Sequence, residues 1–166
     1  MKTEILFPEV ANLCGDLMNV TYLRQCCPEM EVVETGLKDR PAFLDGGVDL
    51  VYVGSATERG LQLMVKALAP YRAELERYVD GGGLMLATGN ALDALGEYVV
   101  IDGKRAFDGL GILKTHAEYH MMKRHNSFLL GSFQDMEIVG FKSLFGHTYP
   151  DDELANPLFR VERGVG

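Results

Sequence analysis

Apolar runs and helical periodicities alternate along the first half of the chain. Thr3 to Phe7 is a short apolar-rich run stopped by Pro8, and it predicts a first strand. Asp16 to Cys26 follows with Leu17, Val20 and Leu23 at near-helical spacing, and predicts a helix. Glu31 to Thr35 predicts a second strand. Val48 to Val53 is nearly continuous in apolar residues, as a strand covered on both faces should be. Thr57 then offers an N-cap hydroxyl, and Leu61, Met64, Val65 and Leu68 share one helical face. Pro70 breaks or restarts that helix. Tyr71, Leu75, Tyr78 and Val79 mark a second apolar face, which Gly81-Gly82-Gly83 closes.

Gly82 to Thr88 reads as a fully buried strand, and Gly89 to Gly96 as a tight turn feeding a helix that starts near Asn90. The order β-α-β-β-α-α-β-α predicts an α/β domain: a flavodoxin-like parallel sheet with helices on both faces. Ligands in such sheets sit at the carboxyl ends of the strands. Here those ends carry Gly54-Ser55-Ala56 and Thr88-Gly89-Asn90. A strand–turn–helix of this kind lifts one side chain above the sheet and aims a helix N-terminus at it, which is how a nucleophile elbow works. The apex at Thr88-Gly89-Asn90 has neither cysteine nor serine. Further along, Ser127 to Ser132 and Met136 to Phe141 are short strand candidates, and Gly109 to Leu113 is a turn into another short segment. They predict a β-rich C-terminal part of one domain spanning 1–166.

Bulk composition narrows the function classes. The 166 residues suit one domain, and 47% apolar residues supply a core. A net charge of −8 makes nucleic acid and anionic membrane surfaces poor partners, because binding them relies on clustered Lys and Arg. Only Lys123-Arg124-His125 is locally basic. The three cysteines, Cys14, Cys26 and Cys27, form no paired framework and no C-x-x-C, which suits a reducing compartment. The apolar start is too short for a signal peptide and no stretch approaches a membrane span, so a cytoplasmic protein is expected.

Several segments together resemble the class I glutamine amidotransferase domain in its cobyric acid synthase-like branch, and within it the glutaminase subunits of lipid II isoglutaminyl synthases. They are Leu6-Phe7-Pro8 through Asn12, Gly15-Asp16 and Asn19; Asp49 to Gly54 with Glu58-Arg59; Leu86-Ala87 through Leu95-Gly96-Glu97-Tyr98; Asp108 to Thr115; and Gly140-Phe141 with Gly146, Thr148 and Tyr149. The likeness spans nearly the whole chain with the motifs in order. It implies an elbow at the fourth strand and a substrate cleft between the two carboxyl-end loops. It also implies a synthetase partner, Mur-ligase-like or cobyrinate-type, which would use the ammonia.

The departures bear on chemistry. Aligned on Leu95-Gly96, the family's cysteine position is Gly89, followed by Asn90 and Ala91, and its Gln position is Asp93. The family's all-glycine loop is Gly54-Ser55-Ala56, and its Glu-Asn-His after Gly140-Phe141 is Lys142-Ser143-Leu144. The family's catalytic His lies beyond a Gly-rich stretch like Gly164-Val165-Gly166, where this sequence stops, as a C-terminally truncated member would. Glutamine hydrolysis needs a thiolate, a His to shuttle the proton, and N–H groups for the oxyanion. Gly54-Ser55 and Asn90 could supply N–H groups; Gly89 supplies no nucleophile. The resemblance therefore implies no catalytic residues, only a substrate-site remnant: Gly54, Ser55, Gly89, Asn90, Asp93 at the cleft rim, and Arg124, where the family keeps an Arg for the substrate carboxylate. A solvated basic turn is the alternative for Arg124. Cys14 sits where a thiolate could be stabilised, or is simply a small buried residue. His116 and His120, four apart, could hold zinc on a helix, and with Glu118 would share a face on a strand, but the pair has no third ligand in a clear motif; Gly81-Gly82-Gly83 precedes a strand instead of linking strand to helix. No metal and no cofactor are expected.

Overall fold

The computed structural model describes residues 1–151 and 159–165. Four parallel strands form its first sheet: β1 Lys2–Leu6, β2 Glu31–Thr35, β3 Leu50–Val53 and β4 Leu84–Ala87, in the order β2-β1-β3-β4. In β3 all four residues are buried, because helices cover both faces. On one face α1, Met18–Cys26, packs Val20 on Ile5, Met30 and Tyr52. On the other lie α2, Glu58–Leu68, and α3, Arg72–Asp80, with Leu61, Met64, Leu68 and Leu75 meeting Leu6, Val51 and Val53. Alternation along the strands sends neighbouring residues to opposite faces. Thr57 caps α2 by accepting the Gly60 N–H at 3.1 Å. Pro70 sits in the short 3-10 turn joining α2 to α3.

The rest of the chain is β-rich. Strands β5 Tyr98–Ile101, β6 Lys104–Asp108, β7 Thr115–Tyr119 and β10 Gly146–Pro150 form a second sheet, ordered β10-β7-β5-β6. Its buried Val99, Ala117 and Tyr119 join the same apolar cluster as the α2 face of the first sheet. Strands β8 His125–Phe133, β9 Met136–Leu144 and β11 Arg160–Arg163 form a third, antiparallel sheet with β8 in the middle. The flavodoxin-like α/β architecture with a β-rich C-terminal part is what the sequence predicts.

Three local expectations need correction. The fourth strand is neither central nor fully buried. Among the described residues β4 pairs only with β3, and Leu84 and Leu86 are 61% and 40% exposed on the α1 face, which α1 covers only as far as Tyr52. The helix after the elbow is a six-residue 3-10 segment, Gly89–Ala94. The first helix starts at Met18, not Asp16, because a 3-10 turn at Leu13–Gly15 precedes it and the Asp16 side chain is engaged elsewhere. Gly166 lies outside the described residues.

Candidate functional site

The carboxyl ends of β1, β3 and β4 meet at one carboxylate. Asp16 Oδ2 accepts the Ser55 N–H at 2.6 Å and the Thr88 hydroxyl at 2.7 Å, and its Oδ1 accepts Asn19 Nδ2 at 2.7 Å. The Tyr52 hydroxyl donates to the Asp16 carbonyl at 2.8 Å and lies 3.1 Å from Thr88 Oγ1. Partial burial pushes the Asp16 carboxyl up, but the bonds from Ser55, Thr88 and Asn19 outweigh it and hold it below the usual aspartate range. Sequence reasoning gave Asp16 no role. Its signal was Gly15-Asp16 with Asn19 three residues on, at the start of the predicted first helix.

The elbow keeps its backbone. Thr88 is extended, and Gly89 turns into the left-handed region at φ +55°, where residues with a Cβ are strained. A Cβ built on Gly89 would lie 2.8 Å from Ser55 Cβ, closer than carbon atoms pack. Gly54 is held as tightly: a Cβ there would meet the Ala11 carbonyl oxygen. Asn90 then bridges the two loops. Its Oδ1 accepts the Ala56 N–H at 3.0 Å and its Nδ2 donates to the Ala56 carbonyl at 2.8 Å. The Ser55 backbone is also tied to Leu13, whose N–H donates to the Ser55 carbonyl at 2.9 Å.

Gly54, Ser55, Gly89 and Asn90 are therefore brought together, but as a joint and not as the two walls of an open cleft. Of the N–H groups expected as oxyanion donors, that of Ser55 already bonds Asp16, and the neighbouring Ala56 N–H bonds Asn90. Asp93 does not stand at a rim. It is 5% exposed, accepts Tyr119 Oη at 2.5 Å and Thr148 Oγ1 at 2.6 Å, and so pins β7 and β10 to the elbow turn. Burial raises its carboxyl above the ordinary value despite those two donors. The Tyr119 hydroxyl is raised as well, first by burial and then by the Asp93 charge. Arg124 lies 4.6 Å over the Phe145 ring. Cys14 is exposed, with a left-handed φ of +58°, so its reading as a small buried residue does not hold.

The histidine segment is a strand, with His116 and Glu118 on one face of β7. His116 is stacked between Tyr98 and Tyr149, and its Nδ1 lies 2.5 Å from Asp151 Oδ1. His120 lies past the strand end, its N–H bonded to the Phe145 carbonyl. Among the described residues no three His, Cys, Asp or Glu side chains come together as ligands for an ion. No described helix is long and apolar enough to cross a membrane.

A strand, a left-handed turn and a flanking loop meet at the sheet's carboxyl edge, and comparison with known proteins gives the chain's likeness. The chain is 28% identical over 145 residues to the lipid II isoglutaminyl synthase (glutamine-hydrolyzing) subunit GatD of Staphylococcus aureus, covering 84% of this chain and 58% of that protein. The GatD subunit of Streptococcus pneumoniae is 22% identical over 169 residues, covering 97% and 63%. This is a glutamine amidotransferase-like domain resembling GatD. Its fold matches a solved glutamine amidotransferase with a TM-score of 0.54 at 15% identity, over 86% of this chain and 70% of that one. No protein-family model matches it. The amidotransferase-like chain spans about three-fifths of the length of the curated relatives it matches.

Proposed function

We propose that this chain is a non-catalytic amidotransferase-like module of an ATP-dependent synthetase, binding or regulating its partner without hydrolysing glutamine. One observation supports the reading: at Gly89, which the resemblance aligns with the family's nucleophile, a Cβ would lie against Ser55, which leaves little room for a side chain there. The Ser55 N–H, one of the expected oxyanion donors, is already bonded to Asp16 and supports it, since an oxyanion must find free donors. Loss of a catalytic nucleophile costs a factor on the order of a million in turnover. The partner class is a synthetase, supported by the lipid II isoglutaminyl synthase subunits the chain resembles; its Mur-ligase-like or cobyrinate-type character is proposed from the sequence motifs alone.

A second reading, a working glutaminase that delivers ammonia to such a synthetase through a displaced nucleophile, has one observation in its favour. Cys14 is exposed at the same sheet edge, one residue beyond Leu13, which bonds Ser55. Ammonia release from glutamine, measured with and without candidate synthetases, separates the two. Background release is expected. Turnover near about one per second, lost in Cys14→Ser, would establish the second reading, as would labelling of Cys14 by a glutamine-analogue affinity reagent.

A further inference from the structure

The third sheet has two apolar faces, and among the described residues only one of them is covered. In antiparallel strands, residues directly opposite share a face. Phe128 pairs with Phe141 and Leu130 with Val139, so these four share one face. Phe128 is 77%, Val139 76% and Phe141 59% exposed. The opposite face is the covered one: a Cβ on Gly131 would meet the Phe159 ring at 3.3 Å, and Leu129, Ile138 and Leu144 are half-buried there. A solvated sheet face ordinarily alternates to polar residues. A contiguous apolar cluster in its place marks a contact surface.

The rim of this face indicates what covers it. Arg160 on β11 pairs with Ser132 on β8, which pairs with Glu137 on β9. One level of the sheet thus carries a cation on one edge strand and an anion on the other. A two-fold axis running along β8 between two copies sets each β9 against the other's β11 at the same level. Glu137 of each copy then faces Arg160 of the other, while Phe128 and Leu130 meet their counterparts at the axis. Arg163, which pairs with Leu130, then lies at the level of the other copy's Val139, where its aliphatic stem covers apolar surface and its head reaches solvent. The Glu137–Arg160 level is complementary to itself in charge, as an isologous interface requires. β8 and β9 have nine residues each and β11 four, so strand rise and spacing give a face of at most roughly 30 by 14 Å. That footprint is at the low end for specific interfaces, the range of weak pairs, with the sheets about 10 Å apart.

We propose that the chain forms a closed two-fold dimer through the Phe128–Phe141 face of its third sheet, the occupant being a second copy. The inference goes beyond the functional reading above and does not depend on it. Sedimentation equilibrium on the full chain at micromolar concentration tests it. A dimer is expected, and Val139→Lys is expected to give a monomer with an unchanged far-ultraviolet circular dichroism spectrum. Arg160→Glu and Glu137→Arg should each weaken the dimer by about tenfold, and the double variant should recover it, since reversing both charges restores the pair. A wild-type monomer, open-ended larger assemblies, or a dimer indifferent to Val139→Lys would overturn the proposal. Should Val139→Lys fail to fold, the charge-swap series decides: a double variant no tighter than the singles also overturns it.

Discussion

At Gly89 two penalties coincide for any residue that has a side chain. The left-handed φ costs an L-residue about 1–2 kcal/mol, and overpacking against Ser55 adds about 1–3 kcal/mol. Gly89→Ala is expected to destabilise by about 2–5 kcal/mol in urea unfolding. In a Ser55→Gly background only the backbone part should remain, giving a coupling of about 1–3 kcal/mol, the overpacking part. Strictly additive effects would show that the two positions do not compete for one space. Two buried or bridging aspartates give pH dependences of opposite sign. Burial, less the help of Tyr119 and Thr148, raises Asp93 in the folded state, so the native chain holds that proton more tightly than the unfolded one. Its contribution to stability falls as pH rises from the ordinary aspartate value to the raised one. Asp16 is lowered, so its contribution is present above the ordinary value and is lost as pH falls through the folded one. Unfolding measured from pH 3 to 7 should show Asp93→Asn removing a decline and Asp16→Asn removing a rise. An unchanged slope in either variant contradicts the corresponding assignment.

Between residues and fold stand the devices that tie elements together. Glu4 in β1 is fully buried and accepts the Thr35 hydroxyl of β2 at 2.5 Å and the N–H groups of Ala42 and Phe43 at 2.6 and 2.7 Å. That carboxylate positions the 3-10 turn Ala42–Asp45, which stands in the β2-to-β3 connection where a helix is more usual. Glu4→Ala is expected to cost about 3 kcal/mol or more, because three buried donors lose their acceptor at about 1–3 kcal/mol each. A loss below about 1 kcal/mol in chemical unfolding would mean that water reaches these groups. Legibility at this scale followed periodicity. The strands of the first sheet, Thr57 as a cap and the Pro70 joint were readable, because apolar spacing and cap chemistry are local. The edge position of β4 was not: Leu84-Met85-Leu86 has the pattern of a strand covered on both faces, and whether a neighbour exists is a tertiary fact. Strands β5 and β6 did leave a signal. Asp102-Gly103, at φ +48° and +78°, is a two-residue hairpin turn after the apolar run Tyr98–Ile101, and it went unread. Asp93 was misplaced for a different reason. Its partners Tyr119 and Thr148 lie 26 and 55 residues away, so nothing local marked it as buried.

Taken as a whole, the molecule distributes its packing unevenly, and its dynamics should follow. One apolar cluster runs from α2 and α3 through Leu6, Val51 and Val53, past Ala91 and Ala94 of the elbow turn, to Val99, Ala117 and Tyr119 of the second sheet. Asp93 adds a polar pin at the same seam. Opening the elbow therefore means breaking both sheets, so it should belong to the most stable cooperative unit. The third sheet is joined chiefly to itself: β8 packs on β9 and β11, and no residue of these strands is in the buried core. Few buried apolar contacts and hydrogen bonds near solvent permit local opening. Hydrogen–deuterium exchange on the Val139→Lys variant, which leaves the sheet uncovered, is expected to show two tiers. Amides of β1, β3, β5 and β7 should exchange only with global unfolding. Those of β8 and β9 should exchange at least about a hundredfold faster, which corresponds to an opening free energy lower by about 3 kcal/mol. Equal protection of β8 and β1 in that variant would show that the third sheet is integral to the core, and that its exposed aromatic face needs some explanation other than a missing cover.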